Sequence, residues 1–165
     1  MNSEILRKLS YGMCALGVRD GAGRPNACIV NTVIQITVEP VEVAVCVHRD
    51  NYSFQCMKET GEFAVSVFSE EATAMDIAVL GFKSGRDADK LVKADYRLEN
   101  GLPVLNKHIC CWFRCRVTGE LAASTHTLFI AEVVDGSDEA AGIPMTYEYY
   151  HRVIKGKAPK NAPHA

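Results

Sequence analysis

Several familiar signatures of chemistry are missing from this 165-residue chain. No GxxxxGK[ST] is present, so "GFKSGRDADKL" (81–91) is not a P-loop, although residues 84–90 gather serine, glycine, arginine, two aspartates and a lysine. No GxGxxG follows a strand-like run. No Ser–His–Asp order, HExxH or paired-carboxylate pattern stands out, which leaves a self-sufficient hydrolase without support. No apolar run reaches the roughly 18 residues that cross a bilayer. The opening "MNSEILRKLSYGM" carries a glutamate and lacks a clean apolar stretch before a cleavage site, so no signal peptide is read. An excess of one charge is absent too: 18 Lys and Arg against 20 Asp and Glu leave a net charge of −2. That balance argues against a dedicated nucleic-acid binder, which carries a basic face and a high pI. The expectation is a soluble, cytoplasmic protein without nucleic-acid or membrane partners.

Cysteine, by contrast, is plentiful. The chain has seven, an odd number, most of them inside apolar runs such as "ACIV" (Cys28) and "VAVCVH" (Cys46). Without an export signal these read as reduced, buried thiols acting as small hydrophobes. The cluster "CCWFRC" brings Cys110, Cys111 and Cys115 together. On an extended strand Cys111 and Cys115 share a face while Cys110 points away. With no CxxC and no second cluster, no metal site is expected.

Strands dominate the pattern. "YGMCALGVRD" runs into the turn "GAGRP", and "NACIVNTVIQIT" then reads as the second strand of a loose hairpin. "VEVAVCVH" (41–48) suits a third strand. In "RDNYSFQCMKETG", Asn51 or Ser53 caps a short helix with Phe54, Cys56 and Met57 on its buried side, and Gly61 follows its last turn. "EFAVSVF" is a strand, and "SEEATAMDIAVLGF" reads as a helix capped by Ser69. Asn-Gly in "RLENGLPVL" marks a turn, and "HICCWFRCRVTGEL" and "HTLFIAEVVDG" complete the set. Six or seven antiparallel strands with two or three short helices imply a small closed barrel, mostly β, because closure removes exposed sheet edges. Residues 1–165 read as one domain, with 155–165 a flexible or partner-docked tail.

Three polar sites stand out against this apolar background. Asn31, Thr32, Gln35 and Thr37 punctuate the second strand, where buried amides and hydroxyls cost about 1–3 kcal/mol each unless satisfied. They read either as exposed residues of a barrel edge or as hydrogen-bonding groups for a planar polar ligand. Ser84, Gly85, Arg86 and Lys90 offer a hydroxyl, a backbone N–H and two cations to phosphate oxygens, while Asp87 and Asp89 equally suit turn capping. His126 opens an apolar strand between threonines, and "PMTYEYYHR" (144–152) gathers three tyrosines with His151, suiting a subunit contact or a stacking platform. With no catalytic constellation of side chains, an enzyme built this way relies on a cofactor for its chemistry.

Taken together, "NACIVNTVIQIT", "FKSGRDADK", "THTLFIAEV" and "MTYEYYHRVIKGKAPKNAP" resemble, across almost the whole chain, the flavin reductase-like family of FMN-binding split barrels. The resemblance is nearest to flavoredoxin-type proteins and to flavin reductase domains partnered with or fused to rubredoxin. It implies a six-stranded Greek-key barrel and a homodimer with FMN near the subunit interface. Cys28, Ile29, Val30, Asn31, Thr32 and Gln35 would meet the isoalloxazine and ribityl chain. Asn51 and Ser53 would lie near the ribityl-phosphate end, and Phe82, Ser84, Gly85, Arg86 and Lys90 would complete the pocket. His126 would occupy the nicotinamide side as the residue tied to catalysis. The chain departs from the family pattern at Ser124, where glycine is usual before Thr-His, and at Ala131 in "IAEV". The implied activity carries electrons from NADH or NADPH through the flavin to free flavin, rubredoxin or another acceptor. The alternatives are an electron-transfer flavoprotein without its own nicotinamide activity, and a non-catalytic ligand-binding barrel.

Overall fold

The computed structural model describes residues 2–158 and 161. After a short 3-10 helix (Ser3–Lys8), the order is β1 (Cys14–Arg19), β2 (Pro25–Val30), β3 (Val33–Val38), β4 (Val41–His48), α1 (Tyr52–Thr60), β5 (Glu62–Phe68) and α2 (Ala74–Gly81). A 3-10 turn (Lys90–Lys93), β6 (Tyr96–Glu99), β7 (Leu102–Leu105), β8 (Ile109–Ala122), β9 (His126–Gly136) and α3 (Tyr147–Arg152) follow. Seven strands form one sheet in the order β2-β1-β5-β8-β9-β4-β3, and β6 pairs with β7 in a separate hairpin. Every pairing is antiparallel. The mostly β class with short helices is as expected, whereas the strand count exceeds six and no ladder joins the two outer strands among the described residues.

The largest departure from the sequence reading lies in "NACIVNTVIQIT". It is two strands, and they occupy opposite ends of the sheet. Seven strands laid flat would separate those ends by about 29 Å. The chain crosses from Val30 to Val33 in three residues, a reach of at most about 11 Å. The sheet therefore has to curl until Val30 and Val33 lie within that reach of each other. Asn31 and Thr32 sit at that joint, where the Thr32 carbonyl accepts from the Cys46 N–H at 3.1 Å.

Inside the curl, Leu16, Val18, Val45, Phe63, Val65 and Phe129 form a core with Cys56 and Met57 of α1. Each such side chain contributes about 1.5–3 kcal/mol by leaving water. α1 shows Ser53, Cys56 and Met57 to this core, with Phe54 only partly buried, and Gly61 closes it in the left-handed conformation (φ 68°). A second core outside the sheet joins Phe68, Ile77, Leu80, Leu91, Met145 and Tyr150. There α2 begins four residues later than the sequence suggests. Thr73, not Ser69, is its cap, in a reciprocal capping box with Asp76. Ser69 is buried and pairs with Pro144 in an isolated bridge. The Asn-Gly turn is as expected, with Asn100 and Gly101 both at positive φ (51° and 80°) between β6 and β7.

Candidate functional site

Beside the crossing from β2 to β3, a cleft of about 380 Å³ opens. One wall is β2, with Asn26, Cys28, Ile29, Val30 and, just beyond it, Asn31. The end of β4 supplies Cys46, Val47 and His48, and the start of α1 supplies Asn51, Tyr52 and Ser53. Facing them are Ile77 and Leu80 of α2 and the loop Phe82–Gly85, with Lys90 behind it. Tyr147 and Tyr150 of α3, His126 of β9, and Lys157 and Asn161 beyond α3 complete the lining. The volume falls in the range of small-molecule sites.

The β2 wall carries a chain of buried polar groups. Asn26, Cys28, Ser53 and Lys90 are 4%, 8%, 1% and 7% exposed. Asn26 Nδ2 donates to Ser53 Oγ at 3.1 Å, and Ser53 and Lys90 both act on the Cys28 thiol. Burial pushes the Cys28 thiol up, against the opposing pull of Lys90 and Ser53. Burial holds the Lys90 ammonium below its ordinary range, and Cys28 partly offsets this. Lys90 Nζ donates to the Leu80 carbonyl at 2.8 Å. The loop comes so near this wall at Gly85 that a Cβ there would stand 2.1 Å from Asn26 Oδ1. Only glycine fits.

At the α1 end the cleft suits an anion. Asn51 makes no capping bond to its own helix, and its Oδ1 accepts instead from Asn161 Nδ2 at 3.0 Å. In the first turn of α1 the Phe54 N–H donates to the Asn51 carbonyl at 3.0 Å, while the amides of Tyr52 and Ser53 precede the first helical hydrogen bond. Arg24 and Arg86 each lie 5.6 Å from the centre of the Tyr52 ring. Arg24 donates to the Gly85 carbonyl and Arg86 to the Asp50 carbonyl, at 2.5 Å and 2.8 Å. Across the mouth, His48 and His126 are register partners, their rings 4.8 Å apart edge to face. Thr125 Oγ1 lies 2.8 Å from His126 Nδ1. The segment after α3 folds back: the Tyr150 hydroxyl donates to the Lys157 carbonyl at 3.2 Å, and His151 Nδ1 lies 3.0 Å from the Gly156 carbonyl. Part of the expected tail is thus laid along the cleft, while residues 159–160 and 162–165 lie outside the described residues.

Most of the sequence-derived candidates converge here: Cys28, Ile29, Val30, Asn31, Asn51, Ser53, Phe82, Ser84, Gly85, Lys90 and His126 all line the cleft. Three do not. Gln35 is exposed on β3 and donates to the Thr37 carbonyl, because the break after Val30 carries it to the other edge of the sheet. Thr32 stands at that break and donates to Asn31 Oδ1 at 3.2 Å. Arg86 reaches only the rim, through Asp50 and Tyr52. Ser84 binds its own loop, accepting from the Arg86 N–H. Sequence reasoning missed Asn26, Cys46, His48 and Tyr52. Asn26 was findable, since it shares a face with Cys28 and Val30 at the period of two. His48 was not, because its place depends on the pairing of β4 with β9. No cluster of three or more metal-ligating side chains occurs among the described residues.

Apolar faces, a polar wall and a cationic end make this cleft suited to a planar, partly polar ring with an anionic tail. Comparison with known proteins points the same way. The sequence profile described as "Flavin reductase like domain" matches residues 6–157. The chain is similar to a high molecular weight rubredoxin of Moorella thermoacetica, 37% identical over 99% of this chain and 71% of that protein. It is also similar to a ferric-chelate reductase (NAD(P)H) of Archaeoglobus fulgidus, 34% identical over 98% of this chain and 96% of the relative. Its fold matches the styrene monooxygenase flavin reductase of Pseudomonas putida, with a TM-score of 0.73 and 22% identity over 87% of this chain and 89% of the other.

Proposed function

This chain belongs to the flavin reductase like domain family, and from that premise we propose that its cleft binds FMN and works with a nicotinamide dinucleotide, NADH or NADPH, as electron donor. The observation that carries the reading is the buried polar wall of Asn26, Cys28, Ser53 and Lys90 facing apolar Ile77 and Leu80. The donor set fits a flavin, whose ring has one hydrogen-bonding edge and two apolar faces and whose tail ends in phosphate. The β2 wall with Asn31 would hold the ring edge and ribityl chain, and the start of α1 with Arg86 at the rim would hold the phosphate. Bound flavin supplies the two-electron chemistry, accepting reducing equivalents from the nicotinamide and releasing them to a second acceptor.

The protein's own part is to bind, orient and exclude water. Ile77, Leu80 and Phe82 shield one side of the ligand, and Tyr147 and Tyr150 bound another. His126, held against His48 and Thr125, would orient the nicotinamide at the mouth. The named relatives support free flavin, a rubredoxin or a ferric chelate as acceptor classes. We read residues 1–165 as one domain working as a homodimer, supported by Ile34, Ile36 and Val38, exposed at every second position of edge strand β3. Seven thiols, none in a disulfide, support a reducing, cytoplasmic setting.

Titration of the purified protein with FMN tests the reading. Flavin fluorescence is expected to quench on binding, with Asn31→Ala weakening affinity more than Lys93→Ala. Anaerobic NADH or NADPH is then expected to bleach the flavin absorbance within seconds. Persistent colour would instead make the protein a carrier reduced by another enzyme, and no quenching in excess FMN would end the proposal.

A further inference from the structure

Lys90 is a buried cation with too few partners. Its Nζ donates to one backbone carbonyl, that of Leu80, and it pairs with no carboxylate among the described residues. An ammonium carries three donors, and leaving a charge dry and incompletely paired costs free energy. Its remaining charged or titratable neighbour is the Cys28 thiol. Lys83 and Lys157 also line the cleft, but both are exposed and solvated. Among the described residues that line the cleft, Lys90 is the one buried Lys or Arg, so water screens its field least and its effect on a charge arising there is correspondingly large.

The anionic tail of a ligand has other partners. The first turn of α1 and the Arg24–Tyr52–Arg86 stack lie at the end assigned above to the phosphate, whereas Lys90 stands beside Cys28 and Leu80 on the walls assigned to the ring. Hydride from a nicotinamide dinucleotide brings two electrons and one proton. The neutral oxidised ring thereby gains one net negative charge unless a second proton follows.

We propose that Lys90 is the charge-compensating residue of the cleft, its ammonium offsetting the negative charge that the bound flavin acquires on two-electron reduction. The inference rests on the reading that the cleft holds a flavin, and it assigns Lys90 a role distinct from phosphate binding. The role requires Lys90 to keep its own proton throughout. It favours the reduced ligand over the oxidised one and so sets how strongly the protein draws electrons from its donor.

The test measures affinity for oxidised and reduced flavin separately, by anaerobic fluorescence titration, in the wild-type chain and in Lys90→Met, Lys90→Gln and Lys90→Arg. The uncharged variants are expected to weaken reduced FMN at least roughly tenfold more than they weaken oxidised FMN. A tenfold change in that ratio lowers the two-electron midpoint potential by about 30 mV. Lys90→Arg is expected to restore most of the ratio. The same selective loss is expected with riboflavin, which has no phosphate. Equal weakening of both redox forms, or a loss seen with FMN and not with riboflavin, overturns the proposal in favour of a phosphate grip. Should Lys90→Met fail to fold, Lys90→Gln retains a donor for the Leu80 carbonyl, and an unchanged ratio in it overturns the proposal equally. Failure of the wild-type chain to bind flavin in either state overturns the functional reading itself.

Discussion

At the scale of single residues, the seven cysteines divide by environment. Burial pushes the thiols of Cys14 and Cys115 up to about 12, so neither yields thiolate near neutral pH. Cys46 and Cys111 are half-buried and raised more modestly. Cys46 lines the cleft and Cys111 does not. Iodoacetamide followed by mass mapping is expected to label Cys46 and Cys111 while sparing Cys14 and Cys115. FMN at ten times its Kd is expected to slow Cys46 about tenfold, because only free protein reacts, and to leave Cys111 unchanged. Equal rates at Cys46 with and without FMN would separate the cleft from the flavin. Much of the cleft lining was legible in the sequence: Asn31 is a polar residue in apolar company, and Ser53 and Lys90 stand at a helix start and in a loop dense in polar groups. Gln35 misled for the same reason: its polarity reflects exposure on an edge strand, and polarity alone does not tell a wetted edge from a lined cleft.

At the scale of the element, α2 depends on its capping box. The Asp76 carboxyl is pushed up by burial, but bonds from the Thr73 N–H and hydroxyl and from His108 outweigh this and hold it below its ordinary value. A carboxyl lowered by folding stabilises the protein above its unfolded value and loses that contribution as pH falls through the folded one. Asp76→Ala is expected to cost roughly 0.3–1 kcal/mol at neutral pH, the worth of a carboxylate in the first turn of a helix. In urea unfolding the gap between variant and wild type is expected to close below pH about 3.8, the ordinary carboxyl value. A gap that stays constant into acid would show that the carboxylate charge plays no part. The existence of this helix was readable from its apolar run, but its start was not. Ser69 and Thr73 are both competent caps, and the choice fell to the bridge between Ser69 and Pro144, which holds residue 69 extended.

At the scale of the whole molecule, the strands and their antiparallel character followed from the period of two. Their order did not. "NACIVNTVIQIT" has the β-branched continuity of one strand, and nothing local reports that Val30 and Val33 belong to opposite ends of the same sheet. That separation is a property of the long-range pairings of β1 with β5 and of β4 with β9. The exposed Ile34, Ile36 and Val38 are expected to be covered in a homodimer. Sedimentation velocity is expected to give a dimer for the wild type and a monomer for Ile34→Glu/Val38→Glu with unchanged circular dichroism. A wild-type monomer at micromolar concentration would remove the dimer from the account.

The two-residue joint at Asn31 and Thr32 does more than connect neighbours. It is a tether between the first and last members of a seven-membered ladder, and its shortness keeps them from drawing apart. The spacing of β2 and the end of β4 along one wall of the cleft is thereby written into the length of the chain as much as into the side chains that line it. Evolution can change what that wall touches by altering its side chains, but respacing its two strands requires adding or removing backbone at this one seam.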